Sequence, residues 1–306
     1  MKKHDWTKSF ENNDIQVIAC KACGFIHQWP LPTQDELDTL YAEIFYEKEK
    51  PHYIQDTDAD REWRNMQDRE KLHAFESFLE KPVDRKPRIL DIGSSSGVFL
   101  EIFLEGGWDV LGIEPSCTAG LVAKDRGLPT LITSIERVSL QDLNGAFDAV
   151  NMREVIDHVL SPYTVLQKIH DELLLPGGII CIETGNEFNE FQLAVCEHYQ
   201  IPKWWIVPDH ISYFDRMSLE YLLQKIGFEI LLVEATFPLE LFALQGDNYV
   251  GNPEVGRACH LKRVHFEMCL NRIGKDTVKG KLYRALAQVG LGRGIILYAR
   301  KNSGAI

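Results

Sequence analysis

The sequence predicts an α/β fold in which a mainly parallel sheet of seven strands is covered by helices on both faces. Three observations carry this expectation. From Arg88 onward, short apolar runs alternate with stretches of helical periodicity. The turn after the first run, inside "RILDIGSSSGVFLEIF" (Arg88 to Phe103), is rich in glycine and serine and joins a buried strand to a helix. A closing strand, "GRGIILYARK", follows a long helical stretch.

Taken in order, residues 1–82 read as an N-terminal helical cap and residues 83–306 as the main domain. In the cap, Thr33 followed by Glu36 is a capping-box signature, so a short helix starts there with Leu37, Leu40 and Tyr41 on one face. A second helix, about Asp58 to Leu79, carries Trp63, Met66, Leu72, Phe75 and Phe78 at mostly helical spacing. The main domain shows strands near "RILDI", "DVLGIE", "PTLIT", "FDAVNM" and "GIICIE", with helices after Gly97, Thr118 and Pro162 and from Ser218 to Ile226. After "FEILLVEAT" comes a helical insertion at about 237–290, because a structureless loop of that length inside a domain is improbable. Ligands of such sheets sit beyond the carboxyl ends of the strands, so the loops there are where chemistry belongs.

Composition narrows the function classes. The net charge of −12 over 306 residues argues against nucleic acid as the main partner, since phosphate neutralisation needs clustered Lys and Arg. No apolar run approaches a membrane span and the start has no apolar signal core, so a cytoplasmic location and no membrane partner are expected. Seven Cys scattered through a long chain fit reduced thiols better than a disulfide framework.

The glycine-serine loop decides the ligand class. A dinucleotide fingerprint would need glycines where Ser95 and Val98 stand, and a P-loop would need Gly-Lys-Ser/Thr. What remains is a carboxylate, Asp91, followed by Gly93, Ser95 and Gly97. This pattern resembles the first motif of class I S-adenosylmethionine-dependent methyltransferases, and the resemblance continues in order over about Arg88 to Val233 plus the final strand. It implies a Rossmann-like sheet and S-adenosylmethionine as cofactor. It also implies that Asp91 lies near the methionine ammonium, that Gly93, Ser94, Ser95 and Gly97 pass the cofactor, and that Glu114, followed by Pro115, accepts the ribose hydroxyls. Ser134 and Ile135 fall where relatives contact adenine, though the usual acid is missing, and Met152, Arg153 and Glu154 fall along the cofactor.

Two histidines are candidate bases for an acceptor proton. His158 follows the fourth strand's loop. His210, in "WWIVPDHISYF", falls in a segment that resembles the active-site loop of sugar and small-molecule methyltransferases, and its aromatic residues are expected to wall an acceptor pocket. A small-molecule acceptor is therefore expected, with a sugar or nucleotide sugar as the first reading; a cofactor-binding partner without catalysis is the alternative. Between Val255 and Lys301 basic residues outnumber acidic ones, which predicts either an anionic acceptor or solvated helix faces. The turn-rich "GDNYVGN", Gly246 to Asn252, is a candidate lid loop. Cys20 and Cys23 resemble the C-x-x-C-G leader of some of these enzymes, in which an upstream pair completes a zinc site. That pair is missing, so the segment reads as a degenerate zinc-ribbon-like leader; His4 and His27 are the only nearby nitrogen ligands, and no bound metal is expected.

Overall fold

The computed structural model describes residues 4–41, 51–80 and 82–302. The chain begins with three strands, β1 (Trp6–Asn12), β2 (Ile15–Cys20) and β3 (Phe25–Gln28), and continues with helices α1 (Gln34–Thr39), α2 (Tyr53–Ala59) and α3 (Arg61–Phe78). The alternating part then runs β4 (Arg88–Ile92), α4 (Val98–Glu105), β5 (Asp109–Glu114), α5 (Cys117–Asp125), β6 (Thr130–Ile132), β7 (Phe147–Arg153) and α6 (Pro162–Lys168). It continues with β8 (Leu174–Gly185), α7 (Glu190–Tyr199), β9 (Ser212–Tyr213), α8 (Arg216–Ile226) and β10 (Phe228–Ala235). Helices α9 (Glu240–Leu244), α10 (Pro253–Arg272) and α11 (Asp276–Gln288) precede the last strand, β11 (Gly294–Lys301).

The expected helical cap is thus helical only from Gln34 onward. Before it lies an antiparallel sheet of order β1-β2-β3-β9, in which Trp6 pairs with Cys20, Ile18 with His27, and Ile26 with Tyr213. No strand was expected in this stretch because β1, "WTKSFEN", is exposed along most of its length and shows little apolar alternation. From Thr33 the expectation holds: its hydroxyl accepts the Glu36 N–H while the Glu36 carboxylate accepts the Thr33 N–H at 2.7 Å.

The seven-stranded sheet has the order β10-β11-β8-β7-β4-β5-β6, with β4 parallel to both β5 and β7 and β5 parallel to β6. After β4 the chain moves outward through β5 and β6, then returns to β7 on the other side. The order reverses at β4, so a crevice opens beyond its carboxyl end.

Contacts divide the chain into two compact units. One comprises Met1–Leu31, Glu183–Leu222 and Leu232–Leu297, the other Pro32–Ile182, Leu223–Leu231 and Tyr298–Ile306. Helices α1 to α3 therefore group with the strand–helix core, where the sequence had set a boundary at residue 82. The reason is the apolar stripe of α3: Phe75, fully buried, packs edge-on against Phe103 of α4 and Tyr298 of β11, with ring centroids 5.7 and 5.6 Å away. The first unit has its own core of Val17, Trp205, Ile206 and Tyr213, edged by Phe10, Ile26 and Phe188. Four cations of the basic stretch near the C-terminus are held in ion pairs. Lys262 pairs with Asp247, Arg284 with Glu234, Arg293 with Glu240, and Arg300 with Glu229. No helix among the described residues is long and apolar enough to cross a membrane.

Candidate functional site

Strand β4 delivers Asp91 to the crevice end of the sheet, where only 3% of the residue is exposed. Pairing of β4 with β7 sets Asp91 beside Asn151, whose Nδ2 donates to Asp91 Oδ1 at 2.7 Å. Burial pushes the Asp91 carboxyl up to about 7, against the opposing pull of the Asn151 hydrogen bond and the Arg153 charge. A carboxylate in that condition is stabilised by an incoming cation.

The loop after β4 is strapped to β5, since the N–H groups of Gly93 and Ser94 both donate to Ile113 O, at 2.8 and 3.1 Å. Two of its residues have to be glycine. Gly93 (φ 75°) and Gly97 (φ 84°, the N-cap of α4) are left-handed, and a Cβ there would lie 2.4 Å from Val155 and 2.3 Å from Leu128 respectively. Ser95 is left-handed as well (φ 48°) despite its Cβ. Its N–H donates to Glu114 Oε2 at 2.8 Å, and Glu114 Oε1 accepts the Ser116 N–H at the same distance. Glu114 therefore braces the loop from the end of β5. Burial pushes its carboxyl up to about 7 as well, opposed by those two backbone bonds. Each oxygen keeps lone-pair capacity for a further donor.

Around this loop runs a narrow slot walled by Asp91, residues 93–96, Asn151 and Arg153, with Tyr53, Thr57 and Arg64 supplied by α2 and α3. Its volume of about 50 Å³ admits a small charged group rather than a whole nucleoside. Four buried polar atoms of these walls, Thr57 Oγ1, Arg64 Nε, Ser94 Oγ and Asn151 Oδ1, have no hydrogen-bond partner among the described residues. Buried polar atoms are almost always paired, so four orphans in one slot mark a place built for a polar ligand. The helices are fastened over it by Arg126, which donates to Ser96 O at 3.0 Å and to the Asp58 carboxylate at 2.8 Å. Arg153 is held by an ion pair with the buried Asp68.

Of the expected cofactor residues, Asp91, Gly93, Ser94, Ser95 and Arg153 line the slot, while Glu114 and Gly97 shape its loop. Pro115, Ser134, Ile135, Met152 and Glu154 are not among its walls. Met152 is wholly buried, Glu154 points to solvent, and the Ile135 carbonyl accepts a bond from Lys168 Nζ at 2.9 Å. Tyr53, Thr57, Arg64 and Asn151 went unnoticed in the sequence. The available signal was a set of polar residues, Arg64, Asp68 and Lys71, spaced by four and three on a helix whose apolar stripe is buried.

The two histidines belong to different units. In the strand–helix unit, His158 is half-buried, with Nδ1 hydrogen-bonded to Tyr41 Oη at 2.7 Å and Nε2 3.7 Å from the Asp157 carboxylate. In the other, His210 sits in a loop pinned by Gln28, whose Nε2 donates to the carbonyls of Val207, Pro208 and His210 at 3.1, 3.1 and 2.9 Å. Of the aromatic residues expected to wall an acceptor pocket here, Trp205 is 2% exposed and packs with Val17 and Ile206, whereas Phe188, Tyr213 and Phe214 line a cavity of about 860 Å³ within the same unit. The same unit gathers Cys20 and Cys23 with His4 and His27, all four donor atoms within 4.8 Å of one another. The sequence names both imidazoles as the nearby nitrogen ligands yet predicts no bound metal; the fold brings them beside the two thiols.

A methyltransferase-domain profile matches residues 61–233, more than half of the chain. The ubiquinone biosynthesis O-methyltransferase of Pseudomonas aeruginosa is 27% identical over 138 residues, covering 42% of this chain and 59% of that protein. Its counterpart from Ruegeria pomeroyi is 28% identical over 157 residues, 46% of this chain and 60% of that one. The C-methyltransferase NovU of Streptomyces niveus is 26% identical over 145 residues, 46% and 33% of the two chains. The chain thus spans about 60% of the length of the O-methyltransferases it matches. Among solved structures, the plantazolicin methyltransferase BpumL in complex with SAH aligns at a TM-score of 0.52 and 15% identity, covering 87% of this chain and 94% of that one. A SAM-dependent methyltransferase from Archaeoglobus fulgidus aligns at 0.50 and 17%, covering 79% and 94%. At these identities the structural likeness speaks to the fold.

Proposed function

Because the chain belongs to the S-adenosylmethionine-dependent methyltransferase family, we propose that the slot beyond β4 holds the methionine end of that cofactor and that the protein methylates a hydroxyl oxygen of a small molecule. The four orphaned polar atoms beside a buried carboxylate carry this reading. An amino-acid zwitterion needs a cationic and an anionic partner close together. Arg64, with its Nε unpaired, suits the carboxylate, because guanidinium–carboxylate bonds are charge-assisted and directional. Asp91 and Asn151 Oδ1 suit the ammonium. Glu114, with its remaining lone pairs, suits the ribose hydroxyls.

When bound, S-adenosylmethionine supplies an electrophilic methyl group on a sulfonium. The chain's own residues then have two tasks, alignment of donor with acceptor and removal of the hydroxyl proton. We assign the proton to His210, with His158 as the second candidate, and the Gln28 amide keeps the His210 loop in position. Two relatives named as O-methyltransferases support oxygen as the acceptor atom. A sugar or nucleotide-sugar acceptor has no such support.

Calorimetric titration tests the slot. Asp91→Asn and Arg64→Met should each weaken S-adenosylmethionine binding about 10–100-fold, the range for losing a charge-assisted hydrogen bond. Unchanged dissociation constants in both variants would remove the slot from the cofactor site. Formation of S-adenosylhomocysteine with pooled hydroxyl acceptors then separates an enzyme from a binding protein without catalysis.

A further inference from the structure

The N-terminal hairpin brings together His4, Cys20, Cys23 and His27, and we propose that these four side chains bind one zinc ion as a tetrahedral structural site. The distances are those of a tetrahedral ligand shell. With Zn–S near about 2.3 Å and Zn–N near about 2.05 Å, the edges of a tetrahedron come to about 3.5–3.6 Å between sulfur and nitrogen and about 3.3 Å between two nitrogens. His4 Nδ1 lies 3.4 Å from Cys20 Sγ, 3.7 Å from Cys23 Sγ and 3.2 Å from His27 Nε2.

Each ligand is placed by backbone pairing, so the shell is built before any ion arrives. Cys20 ends β2 opposite both Trp6 and Phe25. The Gly24 N–H donates to Cys20 O at 2.9 Å and closes the turn that presents Cys23. The Lys21 N–H donates to Asp5 O at 2.8 Å, which lays the segment carrying His4 along that turn. His27 stands on β3 opposite Ile18, with Nδ1 2.7 Å from Gln28 O. A ring nitrogen facing a carbonyl carries the proton, which leaves the lone pair on Nε2, the atom that faces the cluster. Such outer hydrogen bonds to a backbone carbonyl are how ligating imidazoles are oriented.

The donor set selects the ion. Two thiolates and two neutral imidazoles in a tetrahedron favour zinc over the harder oxygen-seeking cations, and two thiolates cancel its charge without a nearby carboxylate. Four protein ligands leave no open position, so the role is structural: the ion joins the segment before β1, the β2–β3 turn and β3. The indole of Trp29 packs against His4 at 4.9 Å between centroids and Trp6 lies 5.6 Å from Trp29, which places two fluorophores beside the site.

The experiment is elemental analysis of the full chain purified without chelator, followed by replacement of the ion with cobalt(II). One zinc per chain is expected, and the cobalt form should show the d–d bands of a tetrahedral site with a thiolate charge-transfer band. Cys23→Ser and His4→Gln should each weaken zinc by at least about 100-fold in competition with a chromophoric chelator, since each removes one of four ligands. Cys23→His, which restores a donor at the same position, should keep the zinc but halve the charge-transfer intensity, and it guards against a variant that merely misfolds. Chelation of the parent should change tryptophan fluorescence. Absence of stoichiometric zinc after reconstitution overturns the assignment, as does parent-like affinity in both Cys23→Ser and His4→Gln.

Discussion

The loop after β4 and the turn after β2 are both short glycine-bearing connections, yet they gather polar atoms by opposite means. The first joins a strand to a helix within a parallel sheet, and its carboxylates, Asp91 and Glu114, are hard oxygen groups buried with few partners. The second joins two antiparallel strands and gathers sulfur and nitrogen into a shell. The difference teaches where ligand specificity comes from. In the parallel sheet, desolvation of a carboxylate creates a demand for positive charge that any suitably shaped cation meets. In the hairpin, donor softness and edge lengths select one class of ion.

The largest expected effect concerns the candidate base in the loop that Gln28 holds. His210→Ala should leave S-adenosylmethionine affinity nearly unchanged while lowering single-turnover methyl transfer about 10²–10⁴-fold, the usual contribution of general acid–base catalysis. A rate within a few-fold of the parent would make His210 structural, and the same measurement on His158→Ala would then decide the alternative.

A smaller effect sharpens the contrast in electrostatics. Asp91 and Glu114 have folded values raised from the usual carboxylate range to about 7. The folded state therefore holds more protons than the unfolded state between those limits, and the stability they contribute is complete at low pH and lost as pH rises through about 7. The cofactor-free protein should lose melting temperature from about pH 5 to about pH 8, and the rise in melting temperature caused by S-adenosylmethionine should be larger at the higher pH. A cofactor-induced shift that is flat across this window would break the account of the carboxylates as cation seekers.

The smallest effect concerns the loop itself. Ser95 holds a left-handed φ of 48°, a conformation that favours glycine. Ser95→Gly should relieve that strain and raise stability by about 0.5–1 kcal/mol in chemical denaturation, because the backbone bond to Glu114 does not use the side chain. A loss of stability would mean that the Ser95 side chain contributes more than its backbone costs.

Legibility in the sequence followed locality. The alternation of strand and helix, the loop from Asp91 to Gly97 and the acid at Glu114 were readable because each lies within a few residues of the element that positions it. The slot's upper wall was not readable. Tyr53, Thr57 and Arg64 reach Asp91 only because the apolar stripe of α3 docks on α4, a packing decision with no motif of its own. Expected neighbours such as Met152 and Glu154 were placed by motif order along β7, but alternation of side chains along a strand turns Met152 away from Arg153 and into the core. In the hairpin, Cys20 and Cys23 declared themselves by spacing. His4 and His27 could be named as nearby nitrogen ligands, but not their convergence on the thiols, since sixteen and seven residues separate them from Cys20 and the antiparallel register brings them back.

That register has one more consequence. His27 and Gln28 are consecutive on β3, so their side chains leave the sheet on opposite sides: one reaches the sulfur cluster, the other clamps three carbonyls of the His210 loop. A slip of β3 by a single residue would exchange the two sides and spoil both duties together. The strand therefore carries something like a parity check, in which a misaligned hairpin announces its error twice and has no half-right state to settle into.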